Sequence, residues 1–346
     1  MADYLRAAIL TIGVTLAAVT PNTAVAMDTA QQWIWCANAN NAFPRYVQID
    51  GCINLIQSGT LSEADLAIAW FNRGLANSAI EDYPRAIAAY SEVIRRNPQN
   101  ADVFYSRGNA YSKQKDYPRA IADYSEAIRL KPQFASAYFN RGLVYAAQKD
   151  YPHAIADYGE TIRSKPTDAD AFYNRGIVYS EQMNYPRAIS DYSEAIRLRP
   201  QFAYAFNNRG AVYSDLKEYP RAFADFSDAI RFDAQDAEAF NNRGYVYQQQ
   251  RDYPRALADY SEAIRLDPQF SRAHYNRGIA YLRLGRFAEA RNDFASARLL
   301  LPDSTKALYG RGYADKLLGL AAEGARDMAT ALQADPGAGK DFADIP

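Results

Sequence analysis

Histidine and cysteine are almost missing from this 346-residue chain, with two copies of each. A catalytic base or a nitrogen–sulfur metal set therefore has little to draw on. His153 replaces the arginine of a Tyr-Pro-Arg corner, His274 sits at a packing position, and neither lies within a hundred residues of Cys36 or Cys52. Charge of one sign is lacking too: 39 Lys and Arg face 40 Asp and Glu. No global field draws nucleic acid or an anionic membrane. Long apolar runs are also missing, since Ala7 to Val19 stops after 13 residues at Thr20-Pro21, short of the roughly 20 that a membrane span needs. Gly337-Ala338-Gly339-Lys340 has the look of a phosphate loop, but Asp341 stands where Ser or Thr is required and no glycine precedes at the right spacing. The expectation is a non-enzymatic chain with no cofactor, no metal and no nucleic-acid partner.

What is present begins with a leader. Arg6, the apolar run and then Ala24-Val25-Ala26 read as a secretory signal peptide over residues 1–26. A permanent anchor is the competing reading. Cleavage leaves no stable membrane span and places the mature chain in the periplasm or outside the cell. Cys36 follows Trp-Ile-Trp and not the small residues of a lipoprotein signal. In an exported chain an even pair suggests a disulfide between Cys36 and Cys52, with two buried thiols as the alternative. Phe43-Pro44 interrupts two expected short helices, Asp28 to Asn40 and Arg45 to Gln57, whose antiparallel packing would bring the sulfurs together. Residues 27–66 are expected to form a helical cap.

From Gly74 onward an Arg-Gly pair returns every 34 residues, at Gly108, Gly142, Gly176, Gly210, Gly244, Gly278 and Gly312. Eight marks without a slip define an array of copies of one unit. The units run 67–100, 101–134, 135–168, 169–202, 203–236, 237–270, 271–304 and 305–338, leaving 339–346 as a tail. In the second unit Phe104, Gly108 and Tyr111 mark one amphipathic helix. Tyr117-Pro118 opens a second, where a proline suits the first turn. Ala120, Tyr124, Ala127 and Ile128 carry its stripe, and Pro132 closes the unit. Gly108 and Ala120 are expected to let two antiparallel backbones approach, with Tyr111 and Tyr124 filling the space around them. One unit alone leaves an apolar face uncovered, so stability must come from stacking, with atypical units at the ends. The last unit has Ala321-Ala322 at the corner and Gly324 for the small alanine. The tail offers Phe342 and Ile345 as a lid over the last helix, or is frayed.

These columns resemble the tetratricopeptide repeat family, whose unit carries an aromatic at position 4, Gly at 8, Tyr at 11, Ala at 20, an aromatic at 24, Ala at 27 and Pro at 32. Trp70, Gly74, Ala86, Tyr90 and Pro98 supply that pattern in the first unit, and Phe172, Gly176, Tyr179, Ala188, Tyr192, Ala195 and Pro200 in the fourth. Departures are His274 and Leu308 at position 4, Asn77 and Asp315 at 11, and Ala234 at 32. The resemblance implies an all-α, right-handed solenoid superhelix of eight helix-turn-helix units, its concave groove lined by first helices.

Three columns ask for more than helix packing. Asn72, Asn140, Asn174, Asn208, Asn242 and Asn276 occupy position 6, with Ser106 and Gly310 breaking the series. Asparagine is a poor helix former, and a carboxamide can pair with both groups of a peptide unit. In the resembling family this position faces the groove, and the column is similar to the asparagine ladder that holds extended peptide in O-linked N-acetylglucosamine transferase. Groove binding and bracing between neighbouring units are both open. Position 5 holds Phe71, Tyr105, Phe139, Tyr173, Tyr275 and Tyr309, with Asn207 and Asn241 between. With Leu75, Leu143, Ile177 and Tyr245 at position 9, it suggests a mixed aromatic and polar lining, or core packing. Arg at position 7 and Asp at 23 suggest ion pairs, Arg107 or Arg141 reaching Asp123, with anionic ligand binding as the alternative. The family's carboxylate clamp needs Lys at 5 and Asn at 9; Asn109 beside Tyr105 meets half of it.

The leading expectation is an interaction scaffold that grips a protein or peptide segment in the groove. The alternative is a glycan-binding or polysaccharide-export component of the cell envelope. A third reading is purely architectural, joined to an envelope complex through its ends or convex face.

Overall fold

The computed structural model describes residues 28–345, so the segment read as a signal, 1–26, lies outside the described residues, as does Pro346. Every regular element among the described residues is helical, and the chain divides into two compact units, up to Gln114 and from Lys115 onward.

The first unit contains α1 (Thr29–Ala37), α2 (Arg45–Gln57), α3 (Glu63–Ala79), α4 (Tyr83–Arg96) and α5 (Ala101–Lys113). Asp28 caps α1, which ends one turn earlier than its sequence suggested because Asn38 turns left-handed at φ 44°. The Asn38 amide then ties the corner, accepting from the Phe43 N–H at 2.8 Å and donating to the Phe43 carbonyl at 3.0 Å. The chain returns as α2, and Cys36 and Cys52 are joined in a disulfide, fully buried beside Leu55 and Ala69. α3 begins at Glu63, four residues before the periodic pattern starts, because Ser62 caps it by accepting from the Asp65 N–H at 3.1 Å.

The second unit contains α6 (Tyr117–Leu130), then the pairs α7 (Ala135–Ala147) and α8 (Tyr151–Ser164), α9 (Ala169–Glu181) and α10 (Tyr185–Leu198), α11 (Ala203–Asp215) and α12 (Tyr219–Phe232). It continues with α13 (Ala237–Gln249) and α14 (Tyr253–Leu266), α15 (Ser271–Arg283) and α16 (Phe287–Leu300), and α17 (Thr305–Leu317) and α18 (Ala321–Ala334). Consecutive helices pack as hairpins and each hairpin packs on the next, the solenoid architecture of the 34-residue units. Each turn inside a hairpin uses one left-handed residue: Lys149, Met183, Lys217 and Arg251 at φ near 60°, then Gly285 and Gly319. Pro at the second position of α8, α10, α12 and α14 costs no helical hydrogen bond.

Within a hairpin the glycine column meets a ring before it meets the partner backbone, so the ring sets the close approach expected from sequence. A Cβ on Gly142, Gly176, Gly210 or Gly278 would lie 2.8–2.9 Å from the ring of Tyr158, Tyr192, Phe226 or Phe294 on the partner helix. Those rings are almost fully buried. The expected backbone approach is also present: a Cβ on Gly244 would be 3.3 Å from the Ala256 carbonyl, and in the last repeat, which has Met328 instead of a ring, a Cβ on Gly312 would be 2.7 Å from the Gly324 carbonyl.

The arginine column is clamped on three sides. Arg141 binds Asp157 of its own hairpin through two hydrogen bonds of 2.8 Å and donates to Ser125 of the preceding repeat at 2.8 Å. Its guanidinium also lies 5.7 and 5.9 Å from the ring centroids of Tyr138 and Tyr145. The partner of Arg141 is thus Asp157, not Asp123, because the two columns face each other across one hairpin. Arg175–Asp191, Arg209–Asp225, Arg243–Asp259 and Arg277–Asp293 repeat the pair at 2.7–2.8 Å. The Asp157 hydrogen bond holds Arg141 above its ordinary pKa, against the burial that opposes it. This occupancy is structural, and an anion would have to displace a buried carboxylate to use the column. In the first repeat Ala89 occupies the aspartate position, and burial, with Arg85 adding repulsion, lowers the Arg73 pKa.

Two consequences are measurable. Gly176→Ala should cost about 1–3 kcal/mol by forcing the Tyr192 ring aside, whereas Gly159→Ala, whose Cβ would meet only the Arg175 guanidinium at 3.9 Å, should be neutral or stabilising by about 0.5–1 kcal/mol. Thermal and urea unfolding of the two variants compare them directly. Denatured but unreduced protein should titrate no thiol. Cys52→Ser should loosen the N-terminal helices by about 3 kcal/mol, the value for a cross-link closing a loop of this length, read as earlier proteolysis of residues 28–62.

Candidate functional site

The first helices of the hairpins carry the position 5, 6 and 9 columns, and the geometry separates these residues by role. Position 5 packs against the buried ring on the partner helix. Phe71 meets Tyr90 at 5.9 Å between centroids, Phe139 meets Tyr158 at 5.8 Å, Tyr173 meets Tyr192 at 6.0 Å and Tyr275 meets Phe294 at 5.6 Å. All four are half-buried, as are Tyr105 and Tyr309.

In three consecutive repeats of the second unit, position 6 bonds diagonally to position 5 of the preceding repeat. Asn208 donates to the Tyr173 hydroxyl at 3.1 Å, Asn242 to the Asn207 carbonyl oxygen at 3.1 Å, and Asn276 to that of Asn241 at 2.9 Å. Asn241 donates in turn to Asn242 at 3.3 Å, so one chain of amides crosses three repeats. Where position 5 is Phe139, no acceptor exists, and Asn174 bonds the Asp170 carbonyl of its own helix at 2.8 Å. Asn72 and Asn140 are half-buried on α3 and α7. For Asn208, Asn242 and Asn276 the amide donor is committed to bracing the stack, the second of the two sequence readings. Asn207 and Asn241 are 4% and 1% exposed and have to be paired.

The side chains left for contact sit at positions 2 and 9, one turn either side of the braced columns. In the first unit Ile68 is 50% exposed and Leu75 43%. In the second, Leu143, Tyr204 and Tyr245 are exposed and Ile177 is half-buried. Sequence reasoning found position 9 but not position 2, whose residues vary from repeat to repeat.

Over the last two repeats the same face is occupied by the chain itself. After Pro336 the backbone turns through a short 3-10 helix, Lys340–Phe342, and runs along α15 and α17. Phe342 is 2% exposed, with Phe294, Tyr275, Tyr309 and Tyr313 at 5.1–6.5 Å between centroids. Ile345 is buried in the same cluster with Ile279. Tyr275 donates to Asp341 at 2.7 Å, and Lys306 pairs with the same oxygen at 3.0 Å. Arg283 and Tyr313 donate to the backbone carbonyls of Asp344 and Ile345. Burial, reinforced by Asp341, pushes the Tyr275 hydroxyl above its ordinary pKa and keeps it a donor. The tail thus docks on first helices, not as a lid over α18 alone, although Ala338 does pack against Leu308 and Ala331.

A TPR repeat model matches residues 79–115, 108–149 and 142–182, and tetratricopeptide repeat models match 169–202 and 241–299, together more than half of the chain. The chain belongs to the tetratricopeptide repeat family. No curated protein matches it in a sequence search. Among solved structures, it is similar to a tetratricopeptide repeat protein from Parabacteroides merdae, with 19% identity over 73% of this chain and 98% of that one and a TM-score of 0.56. It is similar also to a chain of the APC/C hetero-tetramer Cut9–Hcn1, with 14% identity over 83% and 54% and a TM-score of 0.56. PilF from Pseudomonas aeruginosa follows at 20% identity over 59% and 92%, with a TM-score of 0.53. At these identities the likeness is one of fold. Among the described residues of this tetratricopeptide repeat chain, no group of three or more potential metal ligands gathers and no helix is long and apolar enough to cross a membrane.

If the amide column braces the stack, Asn242→Ala should cost about 1–3 kcal/mol, because it orphans buried polar atoms on Asn207 and Asn241. Asn174→Ala, which loses one bond within its own helix, should cost less than about 0.5 kcal/mol. Equal melting shifts for the two variants would remove the bracing role.

Proposed function

We propose that this chain is a non-enzymatic interaction scaffold whose first helices grip a segment of a partner protein. Family membership supports a protein-interaction role, and one observation supports this face as the contact surface. Leu143, Tyr204 and Tyr245 stay exposed on the helix face that, in the last two repeats, already holds a stretch of polypeptide. Large apolar side chains on a rigid support lose little entropy on contact, and alignment in the 34-residue register spaces them for an extended or helical segment. That polypeptide precedent favours a protein partner over a glycan. In this scheme the position 6 asparagines hold the surface rigid. In the second unit Asn140 and Asn174, with the rings of Phe139 and Tyr173, border the contact surface, while Tyr275 and Tyr309 belong to the end that the tail covers; Phe71, Asn72 and Tyr105 hold the same columns on the first helices of the first unit.

The setting proposed is the periplasm or the exterior of the cell. The leader-like residues 1–26 point there, and the buried Cys36–Cys52 disulfide agrees with an oxidising compartment.

Site-specific photo-crosslinking tests the face directly. A photoreactive residue at Tyr204 or Tyr245 should yield one recurrent adduct from the native envelope. The same probe at Leu299, 82% exposed on the second helix α16, should yield none. Identical adduct patterns at all three positions would remove this assignment.

A further inference from the structure

The tail contacts have the form of ligand recognition. Packing between repeats joins side chain to side chain in a fixed register, but residues 341–345 are held as a peptide is held. One aromatic, Phe342, enters a pocket of four rings. One carboxylate, Asp341, is met by a hydroxyl and an ammonium, and two backbone carbonyls accept hydrogen bonds from Arg283 and Tyr313. The repeats adapt to receive it. At position 6 of the last repeat, where the column calls for an asparagine to take the Tyr275 hydroxyl, the residue is Gly310. A Cβ there would lie 2.8 Å from the Phe294 ring, so the bare backbone lets that ring form the pocket floor, and the Tyr275 hydroxyl is left to bond Asp341. Gly339 likewise lets the backbone pass Tyr309, where a Cβ would be 2.8 Å from the ring.

We infer that the face of α15 and α17 is a binding site for an acidic-aromatic segment, a carboxylate followed directly by Phe and by an aliphatic residue three positions later. Residues 341–345 are its tethered competitor, covering it until a partner segment of the same chemistry displaces them. The inference deepens the scaffold reading, on which it rests, by naming the partner's sequence chemistry at one end of the surface. The attachment is suited to exchange: it carries one three-residue 3-10 turn, and its link to α18 is Asp335-Pro336-Gly337-Ala338-Gly339, with two glycines. The charges suit it too, since Lys306 and Arg283 are the cations that meet the segment.

The test uses the full chain and a fluorescent peptide copying residues 340–345, Lys-Asp-Phe-Ala-Asp-Ile, followed by anisotropy. Phe342→Ala empties the pocket without removing any repeat. It should bind the peptide at least tenfold more tightly than the wild-type chain does, and Lys306→Ala added to it should weaken binding severalfold. A peptide with Ala for Phe should not bind. In the wild-type chain, saturating peptide should speed amide exchange at residues 339–345. Should Phe342→Ala lose its cooperative melt, Asp341→Ala, which alters an exposed side chain, takes its place in the same comparison. A folded variant that ignores the peptide, or binds it no better than wild type does, overturns the inference. So does a concentration-dependent dimer of the wild type that Phe342→Ala abolishes, which would give the tail to a second copy. Failure here with crosslinking at Tyr204 intact removes the tail-covered site and leaves the scaffold; the reverse result removes the scaffold's open face alone.

Discussion

A ring pressed onto a glycine sets the geometry of five consecutive hairpins of the second unit. With no Cβ on Gly142, Gly176, Gly210, Gly244 or Gly278, the ring of the partner helix seats directly on the first helix, and that seat fixes how closely the two can lie. Interiors packed to crystal-like density transmit such a constraint. The position 5 ring of the same helix packs against the seated ring, and position 6 reaches the preceding repeat from a backbone placed by the same contact. The last repeat has Met328 where the others have a ring, and there the two backbones close directly at Gly312 and Gly324.

The polar columns solve a second problem. Stacked hairpins bury polar atoms between them, and buried polar atoms need partners. Arginine at position 7 meets this need with one side chain that binds aspartate within the hairpin and, in several repeats, serine in the preceding one. Buried ion pairs carry a desolvation cost that offsets much of their attraction, so their clearest effect is on register. The repetition of one geometry through five consecutive hairpins fits a register role. Asparagine at position 6 works alongside it, bonding to whatever acceptor the preceding repeat supplies.

Where a column is interrupted, the side chains it leaves over take other partners. Gly310 ends the amide chain, and Tyr275 gives its hydroxyl to the tail. Ala89 leaves Arg73 without its aspartate, and its guanidinium lies over Trp70 at 5.0 Å. Asp315 replaces a tyrosine and is met by Arg291 from the preceding hairpin. These breaks fall in the first and last repeats, whose outer sides meet the N-terminal helices and the C-terminal tail instead of another 34-residue unit.

The sequence alone determined the unit length, the helix pairs and the family, because each rests on local chemistry: glycine spacing, a proline in the first turn, apolar stripes at helical period. It marked the columns that matter and the interruption at Gly310. It left the partners open, since Arg141 faces Asp157 and not Asp123, and Asn242 faces Asn207, only through the angle at which two helices cross. Tertiary structure alone decided which amides are committed, which side chains remain exposed, and where Phe342 goes. A periodic sequence states which residues share a face. What that face touches depends on packing distances set by residues far away in the chain.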